Sequence, residues 1–313
     1  MRVLVTGGAG FIGSHLVEGL IDAGNDVYVL DNFSTGAMKN LSHVRRSRSL
    51  NVVRADIRKI PRSLSKRLGR VDRVCHLAAV TGVQWSIRNP IFTSEVNLIG
   101  TLKVLEVARK LRAERVVVAS SAAVYGVPAS LPFTEDANLI PTSPYGASKA
   151  ASELYCRSFE ENHGVEVVSL RYFNVYGPRQ ASGHYSGVIS IFARNILRGL
   201  PLTIFGDGSQ TRDFVFVADV VDATILALKT APQNRVFNVA SGTETTILQL
   251  ARMMQQIVDP GASPDLRFEP SRQGDVHRGV ADITRARTEL GYVPATSLCD
   301  GLSRTIQWFV HKT

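Results

Sequence analysis

Three residues carry the chemistry most readily read from this chain. Tyr145 and Lys149 stand four apart in the run "PYGASK", a spacing that puts both side chains on one side of a helix, one turn apart. A phenol with a pKa near 10 is a poor base at neutral pH, but a neighbouring ammonium favours the phenolate. The third residue, Ser121, sits in "SSAAVYG" just after the apolar run "RVVVA", which reads as a buried strand. At the carboxyl end of such a strand, where open parallel sheets bind ligands, its hydroxyl can share a substrate oxygen with Tyr145. Simpler roles stay open for all three: an exposed tyrosine, a solvated lysine and a capping serine.

The elements that would position them begin at the N-terminus. In "VLVTGGAGFIGSHLVEGL" the glycines follow a strand and precede a helix, and Gly8, Gly10 and Gly13 fit G-x-G-x-x-G while Gly7, Gly10 and Gly13 fit the related G-x-x-G-x-x-G. Such a turn needs glycine for its backbone angles and for close approach of a pyrophosphate to the amides at the helix start. Asp31 ends the next strand about twenty residues on, where an acid can bond a ribose 2′-hydroxyl, and its charge would repel a 2′-phosphate. The cofactor implied is NAD rather than NADP. A bound nicotinamide cation would add to Lys149 in favouring the Tyr145 phenolate. Asp31 could instead cap the turn "DNFSTG".

Strand-type runs alternate with helical ones through "DVYVLD", "VDRVCHLAA", a helical stretch near Ile91 to Leu111, "RVVVASS" and a helix closed by Gly164. That alternation predicts an α/β fold, a doubly wound Rossmann-type parallel sheet with helices on both faces. Gly and Pro become frequent after "VEVVSLRYFNVYG" and the elements shorten, which predicts a smaller second α/β lobe. The expected division is residues 1–171 for the dinucleotide domain, with parts of the later chain returning to it, and 172–313 for the substrate lobe. At 313 residues with 44% hydrophobic and 20% charged residues, the chain has an ordinary globular composition and no apolar run near the roughly 18 residues that span a bilayer. No signal peptide is evident and the three cysteines, Cys75, Cys156 and Cys299, have no metal or redox spacing, so the expected location is the cytoplasm. The net charge of +9 raises nucleic acid as a partner. The excess falls largely in "HVRRSRS" and "IRKIPRSLSKRLGR", runs of a kind that are usually solvated faces, so neither nucleic acid nor a membrane is expected as a partner.

Taken together, "TGGAGFIG", "HLAA", "SSAAVYG", "YGASK" and "RYFNVYGPRQ" resemble the extended short-chain dehydrogenases/reductases, and among them the nucleotide-sugar 4-epimerases of the UDP-glucose 4-epimerase kind. The resemblance runs nearly the whole chain, through "FGDGSQTRDFVFVADVV" and "RQGDVHRGVADITRARTELGY". It implies Tyr145 as catalytic base, Lys149 as its electrostatic partner and nicotinamide-ribose ligand, and Ser121 as the aid to proton transfer at the sugar 4-hydroxyl. For the cofactor it implies Gly7, Gly10, Phe11, Ile12, Gly13, Asp31 and Asn32, the adenine-contacting pair Asp56 and Ile57, Ala78, and Asn97 near the reacting centre. For the substrate it implies Asn174, Arg212 and Arg272 at the diphosphate, Asp275 at the ribose, and Val188, Thr203, Phe205 and Phe214 around the uracil. Each arginine could instead be a surface ion pair.

Relatives that eliminate water or carboxylate carry an acid right after the Ser/Thr; here Ala122 and Ala123 follow Ser121. The implied activity is therefore reversible C4 epimerisation through a 4-keto sugar, with NAD retained between turnovers. In the resemblance, Gly279 occupies a position where a bulky residue restricts the sugar pocket and a small one admits an N-acetyl group, unless that glycine merely serves a turn. Gln84 replaces an arginine typical of glucuronate epimerases. The expected substrates are UDP-N-acetylglucosamine and UDP-N-acetylgalactosamine, together with UDP-glucose and UDP-galactose. UDP-glucuronate epimerisation, a nucleotide-sugar dehydratase or decarboxylase, and a non-catalytic dinucleotide sensor are the alternatives. The resemblance also implies a homodimer, paired through the helical stretch near Ile91 to Leu111 and the helix bearing Tyr145.

Overall fold

Alternating apolar strands and longer amphipathic stretches can bury their apolar sides together only if the strands lie side by side and helices cover both faces. The computed structural model describes residues 1–127, 130–180, 187–271 and 277–311. In chain order it runs β1 (Arg2–Thr6), α1 (Phe11–Asp22), β2 (Asp26–Asp31), β3 (Leu50–Arg54), α2 (Ser63–Leu68), β4 (Arg73–His76), α3 (Val83–Arg88), α4 (Pro90–Ser94), α5 (Gly100–Lys110), β5 (Arg115–Ser121), α6 (Pro144–His163) and β6 (Glu166–Tyr172). It continues with β7 (Asn174–Tyr176), α7 (Val188–Leu197), β8 (Leu202–Phe205), β9 (Thr211–Phe216), α8 (Val217–Lys229), β10 (Val236–Val239), β11 (Glu244–Thr246), α9 (Ile247–Val258), β12 (Leu266–Glu269) and α10 (Leu298–Val310).

Seven strands form one sheet in the order β10-β6-β5-β4-β1-β2-β3, and every neighbour in it is parallel. The order reverses between β1 and β4, so a crevice opens at their carboxyl ends. Alternation along β1 divides the core: Val3 and Val5 face a cluster with Leu16, Val17 and Leu20 of α1, while Leu4 faces one with Val104 and Leu105 of α5. Later segments return to the large sheet, β10 as its edge strand beside β6 and α8 through Val220, Ala223 and Leu228, which pack in the α1 cluster.

The smaller lobe has two short sheets, β11-β9-β7 and β12-β8. Its separate core joins Phe192 of α7, Leu250 and Met254 of α9 and Leu302 of α10 to Tyr176, Phe214 and Phe216 of the strands. The helical stretch expected near Ile91 to Leu111 is present, but a wider π turn, Glu95–Ile99, interrupts it between α4 and α5. Among the described residues no helix is long and apolar enough to cross a membrane.

Candidate active site

A cleft of about 1240 Å³ opens at the carboxyl ends of the central strands and reaches the small lobe. At one end lies the glycine turn between β1 and α1. Gly7 has φ +71°, and a Cβ there would stand 2.7 Å from the Ala78 amide nitrogen. At Gly13 a Cβ would meet the Gly7 carbonyl at 2.1 Å, so α1 sits directly on the turn. Gly10 caps α1 without any side-chain hydrogen bond, and Phe11, Ile12 and Gly13 line the cleft. The first-turn amides of α1 are thus presented where an anion would sit.

Asp31 accepts from the Ala9 amide at 2.9 Å and the Phe33 amide at 2.7 Å while lining the cleft. The turn-bracing and ribose-binding roles are compatible, because a carboxylate has about four acceptor sites. Asn32 donates to Asp56 at 3.2 Å, joining two positions expected to hold the adenosine. The forked hydrogen bond from Arg58 holds the Asp56 carboxyl at about 2, below the usual range. Ile57 and Ala78 complete this wall. A cradle that a Cβ would fill, amides at a helix start and an acid closing β2 fit a dinucleotide without a 2′-phosphate.

At the other end Ser121 caps a turn beside Tyr145. Its Oγ accepts from the Ala123 amide at 3.2 Å, capping a short turn, and it stands close enough to the Tyr145 hydroxyl to influence its ionisation. Burial raises the Tyr145 pKa and Ser121 opposes that rise; on its own the phenol stays protonated at neutral pH. The Lys149 ammonium donates to the Ala119 carbonyl at 2.7 Å, and burial pulls its pKa down to about 8. All three residues line the same cleft.

Helix α6, which carries Tyr145 and Lys149, is fixed by residues outside the motif. Ser143 caps it by accepting from the Gly146 amide at 3.1 Å. Ser86 of α3, fully buried, accepts from the Tyr145 amide at 3.1 Å and donates to the Val83 carbonyl at 2.7 Å. Nothing in "QWSIRNP" marks this serine; only the packing of α3 on α6 reveals it. Asn97, expected beside the cofactor, is 1% exposed and stands behind the cleft wall. It accepts from the Val80 amide at 2.8 Å and donates to the Val80 carbonyl and to Ser148 Oγ. It therefore ties the loop after β4 to α6. Buried His76 bridges Thr6 and Thr101, and burial lowers its pKa to about 3, so it is neutral.

Behind the site Arg171 makes a buried ion pair with Glu153 of α6 at 2.7 Å, and Ser120 donates to the same carboxylate. On the small-lobe side Asn174, Arg212 and Gly279 line the cleft. Asn174 donates to the Asp213 carbonyl at 3.0 Å and Arg212 to the Thr211 carbonyl at 2.7 Å. Phe214, expected at the uracil, packs edge-on against Tyr176 in the lobe core, because alternation along β9 turns 214 and 216 inward. Val188, Thr203 and Phe205 are likewise not among the described residues that line the cleft. Arg272 and Asp275 lie outside the described residues. Gln84 lines the cleft, as does Arg179, which the sequence reading did not single out. Its guanidinium bonds Glu18 at 2.6 Å and the Asn40 carbonyl at 3.2 Å, stitching the segment after β7 to α1.

Among the described residues of the cleft the carboxylates are Asp31 and Asp56, both at the nucleotide end. No group of His, Cys, Asp or Glu among the described residues could hold a metal ion. Residues 3–240 match the model of the epimerase family described as NAD dependent epimerase/dehydratase. A UDP-glucose 4-epimerase of Mycolicibacterium smegmatis is 40% identical over 316 residues, covering all of both chains. UDP-glucuronic acid decarboxylase 1 of Arabidopsis thaliana is 36% identical, covering all of this chain and 70% of its own. The UDP-N-acetylglucosamine 4-epimerase of Methanobrevibacter ruminantium, solved with UDP-N-acetylmuramic acid, superimposes with a TM-score of 0.94 at 37% identity over 100% of this chain and 99% of its own.

Proposed function

The chain belongs to the NAD dependent epimerase/dehydratase family, and from that premise we propose that it interconverts UDP-hexoses epimeric at C4. The favoured pair is UDP-N-acetylglucosamine and UDP-N-acetylgalactosamine, with UDP-glucose and UDP-galactose also accepted. The observation that carries this reading is the Ser121–Tyr145 hydroxyl pair followed by Ala122 and Ala123, in a cleft whose described carboxylates all lie at the nucleotide end. Dehydration or decarboxylation calls for an added acid or base near C5 and C6, and Ala122 and Ala123 have no ionisable group to supply it.

Bound NAD supplies the hydride acceptor and donor at C4. Tyr145 takes the proton of the C4 hydroxyl as that oxygen becomes a carbonyl, and returns it when the hydroxyl re-forms. Ser121 holds the same oxygen by hydrogen bonding, and Lys149, one turn along α6, supplies the positive charge that a phenolate needs. Nothing is lost from the sugar and the redox change cancels over a turnover.

The N-acetyl preference rests on Gly279. Among the described residues a Cβ there would have Thr211 O, at 4.0 Å, as its nearest contact, and the residue has no left-handed φ. The backbone does not demand glycine, so its smallness serves the space beside it. Gln84 offers a sugar carboxylate no charge, which disfavours UDP-glucuronate. The test is to incubate the purified protein, without added NAD, separately with UDP-N-acetylglucosamine, UDP-glucose and UDP-glucuronate, following anomeric protons by NMR. UDP-N-acetylgalactosamine is expected. Turnover of UDP-glucuronate alone would overturn the substrate reading, and a 4-keto-6-deoxy product or carbon dioxide would overturn the reaction.

We also propose that the protein is a homodimer. Ile87, Ile91, Ile99, Leu154 and Tyr155 are exposed apolar side chains on α3, α4, the π turn and α6, a concentration that solvent disfavours. Light scattering should give the dimer mass, and the double substitution Ile91→Glu, Leu154→Glu should give the monomer; a monomeric parent would refute this.

A further inference from the structure

We propose that the β3 edge of the large sheet is a docking surface for an anionic lipid bilayer. Residues 32–71 hold eleven Lys and Arg against one acid, Asp56, whereas the other 273 residues hold 25 against 26. The whole positive excess of the protein therefore lies in one segment. Read linearly, these are two separate solvated runs; folding gathers them. β3 pairs on one side only, with β2. Arg45, Arg46 and Arg48 lie in the connection that enters it, whose Leu41 and Val44 anchor in the core on the α1 face. Arg62, Lys66 and Arg67 lie at and within α2, whose Leu64 and Leu68 anchor in the core on the opposite face. The six cations thus flank one sheet edge from both sides.

All six are exposed, and none forms an ion pair with a described residue. Cations that flank one edge without partners add to a single positive field, which a polyanion would meet favourably. The partner's chemistry follows from what accompanies them. Residues 32–71 contain one aromatic residue, Phe33, and the Arg54 guanidinium lies over its ring at 5.8 Å. Single-stranded nucleic acid would require a stacking platform. A duplex groove would require a helix or ribbon that reaches in, and α2 has six residues. A lipid leaflet needs neither: it accepts cations spread over a surface, each adding to a reversible, salt-sensitive attraction. Such docking leaves the chemistry free, since Ser121 on β5 is four strand spacings from β3, roughly 19 Å.

The test uses the full chain in co-sedimentation with vesicles of pure phosphatidylcholine and of phosphatidylcholine with phosphatidylglycerol. Binding is expected to the anionic vesicles alone, lost when salt rises from about 50 mM to about 300 mM as screening shortens. The triple variants Arg45→Gln, Arg46→Gln, Arg48→Gln and Arg62→Gln, Lys66→Gln, Arg67→Gln should each weaken it about tenfold or more, with melting temperature and turnover of a soluble nucleotide sugar unchanged. No binding to anionic vesicles would overturn the proposal and leave the charge as a guard against edge-to-edge pairing. Binding by both triple variants as tight as the parent's, or tighter binding of the parent to duplex DNA at matched phosphate concentration, would overturn it as well.

Discussion

Replacing Lys149 by methionine should make the cofactor-free protein more stable at neutral pH while removing its activity. Burial draws this ammonium from 10.5 down to about 8, and the side chain is only 6% exposed. An unfolded chain keeps the proton up to about pH 10.5, whereas the folded protein releases it above about pH 8. Folding is therefore penalised in full below about pH 8, and the penalty fades as pH rises from there to 10.5. It corresponds to roughly 3 kcal/mol at neutral pH. Methionine fills a similar volume without charge, but leaves the Ala119 carbonyl without its 2.7 Å donor, a loss of about 1 kcal/mol. The net expectation is a gain of about 2 kcal/mol near pH 7, turning to a loss of about 1 kcal/mol above pH 10.5. Urea denaturation of both proteins across that range measures the difference, and turnover should fall about a hundredfold or more. A variant less stable than the parent at pH 7, or a difference that does not change with pH, would refute the claim that the fold strains to keep this charge.

Tyr145→Phe should abolish turnover while the protein still carries its dinucleotide, seen by absorbance after denaturation; residual activity near the parent's would remove Tyr145 as the base. Gly279→Tyr should lower kcat/KM for UDP-N-acetylglucosamine relative to UDP-glucose by about tenfold, equivalent to about 1.4 kcal/mol, and an unchanged ratio would sink the gate. Ser86→Ala leaves the Tyr145 amide without its buried acceptor, costing about 1–3 kcal/mol. If this serine positions the tyrosine, kcat falls with KM and bound cofactor little changed; a loss of stability alone would make it purely structural.

The chemistry was legible in the sequence wherever it depends on short spacing. Glycines between a strand and a helix, an acid closing the next strand, and a tyrosine and a lysine four apart each determine local geometry, and the structure places all of them along one cleft. Strand and helix alternation sufficed for a parallel sheet, because each element must bury its apolar side. Tertiary structure alone decided what depends on which elements meet. It put Asn97 behind the wall as a brace between the Val80 loop and α6 and turned Phe214 into the lobe core. It brought β10 back beside β6, recruited Ser86 to the helix that bears Tyr145 and buried Lys149. Spacing along the chain fixes neighbours within a few residues; burial, and the pKa values that follow from it, are set by partners tens of residues away.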